Sequence, residues 1–303
     1  MSKKKVDVAI AILLHRGKVL VGWRQAEQHQ GNKHEFPGGK VEAGETPEQA
    51  CRREIYEEVG IGLKDWHAFD VIQHEYEDLI VNLHVFHAYV PDELLTLIQQ
   101  PWAWYDRDQL THLNFPKAND AMIERLHIPH IIKISEHLTD LPQQEILFYW
   151  RVAMQDIYAI ETKLMDLNVE QYQKLIINIE IWQKLNPALQ SKINNLHLKQ
   201  SQLMQFHKGD LAVGKRVFAA CHDAVSLQHA QHIGCDAVLL SPVQVTETHP
   251  DAKELGWDGF AELAKRSDIP VFALGGVAPE DLEKAQKHFA YGLAGIRQFQ
   301  VLN

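Results

Sequence analysis

Three glutamates, Glu54, Glu57 and Glu58, stand at i, i+3 and i+4 in the run Thr46-Pro47-Glu48-Gln49-Ala50-Cys51-Arg52-Arg53-Glu54-Ile55-Tyr56-Glu57-Glu58-Val59-Gly60. On a helix the three carboxylates share one face, repel one another by roughly a few tenths of a kcal/mol per pair, and sit beside the negative end of the dipole. A solvated surface is the bland alternative, and it leaves that repulsion unexplained. A divalent cation with oxygen ligands removes the penalties together. Mg²⁺ is the expected ion where a substrate brings phosphates, with Mn²⁺ as the alternative. Arg53 can hold one carboxylate in position. Beside such a substrate an ion so held would neutralise phosphate oxygens, and a carboxylate could orient or deprotonate water.

The elements that must position these groups can be read from local signals. Thr46 and Gln49 have capping-box spacing, Pro47 suits the first helical position and Gly60 is a stop, so a helix is predicted from Pro47 to Val59. Strand-like runs at Val6–Leu14, Lys18–Trp23 and Val81–Val90 flank it, and a second helix is expected over Ala118–Leu126, an α+β pattern. Beyond about Leu126 short apolar runs alternate with helical stretches, the rhythm of parallel βα units. The runs are Ile131–Ser135, Glu145–Arg151, Arg216–Cys221, Asp236–Ser241, Pro270–Gly275 and Tyr291–Arg297, with weaker candidates at Ile176–Ile181 and Asn195–Leu198. Eight strands make an α/β TIM-barrel-like domain, although about 175 residues fall below the roughly 200 usual for that fold. The expected division is therefore residues 1–126 and 127–303.

Composition narrows the setting. The 303 residues are 46% apolar and 23% charged with a net charge of −10, which disfavours nucleic acid as a partner and favours a small molecule. No apolar run approaches the roughly 18 residues of a membrane helix. Met1–Leu14 reads as a first strand, since Asp7 interrupts its apolar part. Three scattered cysteines, Cys51, Cys221 and Cys235, suit a reducing cytoplasm and neither a disulfide framework nor a zinc site. Nothing specifies an oligomeric state. Most of the eighteen histidines are expected on the surface or in the core; His84 and His87 would face opposite sides of a strand.

Gly39, Glu45, Arg53, Glu54, Ile55, Glu57, Glu58, Gly60 and Ile61 fill every fixed position of the Nudix box, a coincidence on the order of 10⁻⁹ per starting position at average residue frequencies. The first half thus resembles the Nudix hydrolases. That resemblance implies metal-dependent hydrolysis of a nucleoside diphosphate linked to another moiety, with Glu54, Glu57 and Glu58 as metal ligands and Glu54, Arg53 and Glu57 in catalysis. Asn32-Lys33-His34-Glu35-Phe36-Pro37-Gly38-Gly39-Lys40 and Phe115-Pro116-Lys117-Ala118-Asn119 are similar to the MutT-type members that remove oxidised guanine nucleotides. This likeness implies Arg24 and His29 near phosphates and sugar, Glu35, Phe36, Pro37 and Gly38 lining the pocket, and the Gly38 carbonyl joining the metal shell. Asn119 would read the base. Its carboxamide can accept from N7–H of 8-oxoguanine and donate to O6, whereas guanine offers a bare N7; capping the following helix is the alternative role for Asn119. The implied activity is 8-oxo-dGTP to 8-oxo-dGMP and pyrophosphate, which serves replication fidelity and limits DNA damage and the need for DNA repair. Ile98 stands where the family commonly has a further Glu before Gln-Pro…Trp, so the general base is expected to be Glu54, with Glu93 as a group that could fold over the site.

The second half resembles the thiamine phosphate synthase and TenI-like barrels through Ile131–Ser135, Leu196-His197-Leu198, Ser241-Pro242-Val243, Leu255-Gly256-Trp257 and Ala273–Val277. Gly275 and Gly276, with Thr246, would meet a phosphate at the mouth of strand seven. The departures are heavier. Synthases carry Arg-X-Lys and aspartates for Mg²⁺, while Trp150-Arg151-Val152-Ala153 lacks the Lys and Leu198-Lys199-Gln200 lacks an acid. A phosphate-binding or regulatory barrel, a scaffold, and an active synthase or tautomerase beside a hydrolase of thiamine-pathway pyrimidine diphosphates are the open readings.

Overall fold

The computed structural model describes residues 3–27, 31–245 and 253–301. The chain divides into two compact units, Met1–Ile128 with Ala212–Gly214, and Pro129–Leu211 with Lys215–Asn303.

The first unit holds β1 (Lys4–His15), β2 (Lys18–Arg24), β3 (Lys33–Glu35), β4 (Gly38–Lys40), α1 (Pro47–Val59), β5 (His67–Glu75), β6 (Leu79–Tyr89), β7 (Ala103–Tyr105) and α2 (Asp120–Leu126). The sheet order is β3-β2-β1-β6-β5, with β4 on β1 and β7 on β2. β1 runs parallel to β6 from Lys4↔Leu79 to Leu14↔Tyr89. Being central, β1 buries both faces. Ala9, Ala11 and Leu13 pack with Ala50, Cys51, Ile55 and Val59 of α1, and Ile12 and Leu14 join Phe36, Phe115 and Met122 on the other side. A period of two lets one strand serve both layers, and this makes its apolar run nearly continuous.

α1 has the limits its local signals require. The Gln49 N–H donates to Thr46 Oγ1 at 3.2 Å, the Thr46 N–H donates to Gln49 Oε1 at 2.8 Å, and Gly60 closes the helix at φ 80°. The expected helix at Ala118 starts later, because Lys117–Asn119 winds as a tighter 3-10 turn ahead of α2.

The second unit is a closed barrel of eight parallel strands: β8 (Ile131–Ser135), β9 (Leu147–Trp150), β10 (Leu175–Asn178), β11 (Asn195–Leu198), β12 (Arg216–Cys221), β13 (Ala237–Leu240), β14 (Val271–Leu274) and β15 (Gly292–Gly295). β15 pairs with β8 to close it. The strand expected over Ile176–Ile181 ends at Asn178. The Asn178 side chain accepts the Glu180 N–H at 3.0 Å and starts a helix over Ile179–Lys184. Most of the strands have four residues, which is how the ring closes in so short a chain.

Gly38 is fixed by a close approach. At φ +149° an added Cβ would lie 2.1 Å from the Ala9 carbonyl oxygen, whereas one on Gly39 would lie 2.1 Å from Glu54 Oε1, the end of a side chain that can swing. Gly38→Ala should therefore cost about 3 kcal/mol and Gly39→Ala about 1 kcal/mol or less, read from urea midpoints at unchanged slope; equal shifts would contradict the difference.

Candidate active site

The acid face of α1 is organised by one guanidinium. Arg53 Nη2 donates to Glu45 Oε1 at 2.8 Å and to the Lys40 carbonyl at 3.1 Å; Nη1 donates to Glu54 Oε1 at 2.8 Å and to Glu57 Oε2 at 3.4 Å. These bonds lower the Glu45 carboxyl below its usual range, with Arg53 as the main cause, and raise Arg53 itself. Glu54 is one-sixth exposed, Glu57 more than half. Arg53 holds the Glu54 carboxylate, and Glu45 is its strongest partner. Glu45 precedes the helix, whose N-cap is Thr46, so helical periodicity could not pair the two.

Glu58 receives the Gly38 N–H at 3.0 Å. Its carboxyl is pushed up to about 7, first by desolvation and next by repulsion from Glu54 and Glu35, against the pull of the Gly38 N–H and Arg24. Water still reaches its tip, as it is exposed by surface area. Desolvation leads, and the Glu54 and Glu35 carboxylates add to it. Among the described residues no three metal-type side chains already converge on one point: Glu54 and Glu57 turn to Arg53, and Glu58 to Gly38. The donor set nevertheless fits a hard divalent cation, since it gathers anionic oxygens whose mutual repulsion only an added positive charge relieves. Glu54, Glu57 and Glu58 are the residues that would hold it.

Around this face the other expected residues take distinct positions. Arg24, at the end of β2, is ion-paired with Glu35 of β3, Nε to Oε2 at 2.7 Å. Phe36 and Pro37 are buried, and the Pro37 carbonyl accepts the Ala11 N–H at 2.9 Å. His29 and Thr246 lie outside the described residues. On the opposite face of β3, the Phe36 ring stacks on Phe115 at 4.9 Å and 23°. The segment bearing Phe115 is stitched to β3 by His34 N–H to the Asn114 carbonyl at 2.7 Å, and by Asn114 Nδ2 to the Asn32 carbonyl at 3.1 Å. Asn119 is buried at 7% exposure, and its side chain makes no capping bond to α2. The alternative role of a cap is therefore unused.

Ile98 packs against the α1 core, and Trp102 Nε1 donates to the Glu58 carbonyl at 3.0 Å. Where a further acid was expected the structure has apolar packing. Glu93 is exposed on the 3-10 turn Asp92–Leu97. His84 Nε2 donates to Asp7 Oδ1 at 2.9 Å, and His87 stacks on His67 at 4.8 Å.

In the barrel, Gly275 and Gly276 follow β14 with φ +99° and +70°. The ends of β9, β10 and β11 present Tyr149, Asn178 and His197. Tyr149 and His197, two strands apart, stack at 4.3 Å and 25°, which places them on the concave side. Asn178 and Gln202 exchange amide bonds at 2.9 and 3.1 Å. Arg151 is paired with Glu136 at 3.0 Å. Among the described residues, this set of amides and aromatic rings does not fit the Mg²⁺ of a synthase.

Fold and site define a hydrolase unit with an acid helix on a mixed sheet, together with a parallel barrel. Residues 8–125 match the NUDIX domain family and residues 152–299 the thiamine monophosphate synthase family. An 8-oxo-dGTP diphosphatase of Escherichia coli (strain K12) is 36% identical over 125 residues, 41% of this chain and 97% of that protein. A putative thiamine-phosphate synthase 2 of Aquifex aeolicus (strain VF5) is 30% identical over 151 residues, 48% of this chain and 75% of that protein. The crystal structure of a MutT protein from Methanosarcina mazei Go1 aligns at 22% identity and TM-score 0.37, over 42% of this chain and 95% of that one. The chain belongs to the Nudix hydrolases, a divalent-metal-dependent family, through its first unit, and carries a barrel of the thiamine monophosphate synthase family in its second.

A carboxyl raised from 4.5 to about 7 on folding stabilises the metal-free protein fully below pH 4.5 and loses that contribution as pH rises through 7. Glu58→Gln, which cannot ionise, should therefore melt above wild type at pH 8 in EDTA, with the gap closing toward pH 4.5; a gap that does not change with pH would contradict this.

Proposed function

We propose that the first unit hydrolyses 8-oxo-dGTP to 8-oxo-dGMP and pyrophosphate with Mg²⁺, and so keeps oxidised guanine out of replicating DNA. The observation that carries the reading is the Asn119 carboxamide, buried and not spent on capping α2, on the segment that also bears Phe115 of the Phe36–Phe115 stack. The likeness to the E. coli 8-oxo-dGTP diphosphatase, nearly end to end on that protein, supports it. A buried amide left unpaired by the wrong base costs a desolvation penalty, which is how such a site discriminates.

In this reading Glu54, held by Arg53, is the general base that takes a proton from the attacking water. Arg53 positions it without touching substrate. Glu57 and Glu58, with the Gly38 carbonyl, complete the ligand set. The ion, when bound, offsets the charge of the phosphate oxygens and acidifies water. Arg24 and His29 meet the phosphates and sugar, and Glu35 orients Arg24 through the ion pair already formed. The three cysteines are free and buried, which suits a reducing cytoplasm. Among the described residues no helix is long and apolar enough to cross a membrane. The proposed domain division, 1–126 and 127–303, falls two residues before the Ile128/Pro129 boundary of the compact units. For the barrel the neutral mouth supports a ligand-binding or regulatory role, with Gly275 and Gly276 at a phosphate, over active synthesis.

Wild-type kcat/KM should favour 8-oxo-dGTP over dGTP by roughly 10²-fold or more, and Asn119→Ala should erase most of that preference; equal values for the two nucleotides in wild type would remove the sanitising role. Glu57→Gln and Glu54→Gln should each lower kcat by about two orders of magnitude in pyrophosphate-release assays at saturating Mg²⁺, and near-normal turnover in either would overturn its assignment.

A further inference from the structure

His34 carries a buried polar atom that the fold leaves without a partner. It lies in the middle of β3, on the face opposite Lys33 and Glu35 and paired across the strands with Trp23. Its ring meets Trp23 edge-on at 4.8 Å, Tyr105 at 6.0 Å and Phe115 at 5.8 Å. Trp23 is 41% exposed. It forms an open lip, while Phe115 and Phe36 form the inner wall. Nδ1 of His34 is buried and makes no hydrogen bond. Burial holds the ring below its ordinary pKa, offset in part by the Asn114 backbone carbonyl, so the imidazole is neutral at pH 7. The Asn114 carbonyl already accepts the His34 backbone N–H, and a neutral imidazole presents one bare acceptor nitrogen, the role open to the partnerless Nδ1.

A buried acceptor without a donor costs about 1–3 kcal/mol, so native proteins keep few of them. One lining an aromatic wall, on a strand sewn to the segment that carries Asn119, has an evident use. We propose that His34 Nδ1 is a second base-reading group of the pocket, accepting a hydrogen bond from an N–H of the nucleobase. The inference rests on the reading of Asn119 above. If Asn119 takes N7–H and O6 of an oxidised guanine, the donors that remain are N1–H and the 2-amino group, and both lie on one edge of the ring. An acceptor is the group this edge demands, and an apolar side chain of similar size would leave it unpaired. The two residues then select different features. Asn119 separates oxidised from ordinary guanine, and His34 separates bases with a donor edge from those without one.

The test uses the full chain with His34→Leu, His34→Asn and Asn119→Ala, each checked by thermal melting. Equilibrium binding of 8-oxo-dGMP, KM and kcat for 8-oxo-dGTP, and inhibition by pyrophosphate, which has no base, are measured. His34→Leu should weaken 8-oxo-dGMP and raise KM about tenfold, with kcat and pyrophosphate inhibition within twofold of wild type. His34→Asn, which keeps an acceptor near the Nδ1 position, should recover most of the loss. Binding within twofold of wild type in His34→Leu, while Asn119→Ala loses affinity, would overturn the role of His34 and leave the function reading intact. Absence of any 8-oxo-dGTP preference in wild type, with Asn119→Ala silent, would overturn the function reading itself. If His34→Leu does not fold, ¹⁵N-histidine spectra of wild type decide. The His34 Nδ1 resonance, assigned by its loss in His34→Asn, should move when 8-oxo-dGMP is added, and a fixed resonance overturns the proposal.

Discussion

The Arg53 guanidinium spans the gap between α1 and the turn that precedes it. It binds Glu45 and the Lys40 carbonyl on one side and Glu54 and Glu57 on the other. Four acids on one short stretch would otherwise repel one another, and three of them would also oppose the helix dipole. The fork geometry of arginine answers several oxygens with one rigid group, which a lysine could not do. Charge is therefore balanced for Glu45 and Glu54 and not for Glu58. The uncompensated carboxyl titrates near neutrality, at the place where an incoming cation would complete the balance.

Backbone proximity is the second half of that constraint. β4 can lie against β1 only because residue 38 has no Cβ, and Glu54 can reach over residue 39 for the same reason. The apolar side of α1 then seals against Ala9, Ala11 and Leu13, with Trp102 bonding the carbonyl of Glu58 from outside. Ile98 belongs to that seal. An acid there would have to leave water for the α1 core. The packing thus accounts for an apolar residue at position 98.

How much of this could be read in advance follows the range of the signals involved. α1 was legible to the residue, since its cap, its first proline and its terminal glycine are all local. Strands β8, β11 and β12 also have the limits their apolar runs suggested, because a barrel strand buried on both faces has little room for polar residues. β5 was missed. His67, Asp70, Gln73, His74 and Glu75 break its alternation, and a bulge between Ala68 and Asp70 shifts its register. β3, β4 and β7 have three residues each and exist only through their partners. In the site, the Nudix glutamates and Arg53 were readable as a spacing. The service of Glu45 to Arg53, the empty cap at Asn119 and the orphan nitrogen of His34 were not, since each depends on which atoms meet in space.

The barrel shows the same logic by contrast. Its N-terminal end is tied by polar bonds that act on stability: Arg216 Nη1 donates to Asn195 Oδ1 at 2.9 Å, and the Val217 N–H donates to Asp236 Oδ2 at 2.8 Å. At the other end of the strands, where barrels of this kind do their chemistry, Asn178 and Gln202 satisfy each other and His197 is buried in neutral form, its pKa driven down to about 3 by desolvation. Two amides that close on one another need no ion, and an imidazole that cannot hold a proton offers no charge to a diphosphate. A site of this kind can still grip a neutral ring or a single phosphate through backbone N–H groups. Among the described residues, the polar set of Asn178, Gln202 and His197 brings no carboxylate to that end of the strands, whereas carboxylates line one face of α1.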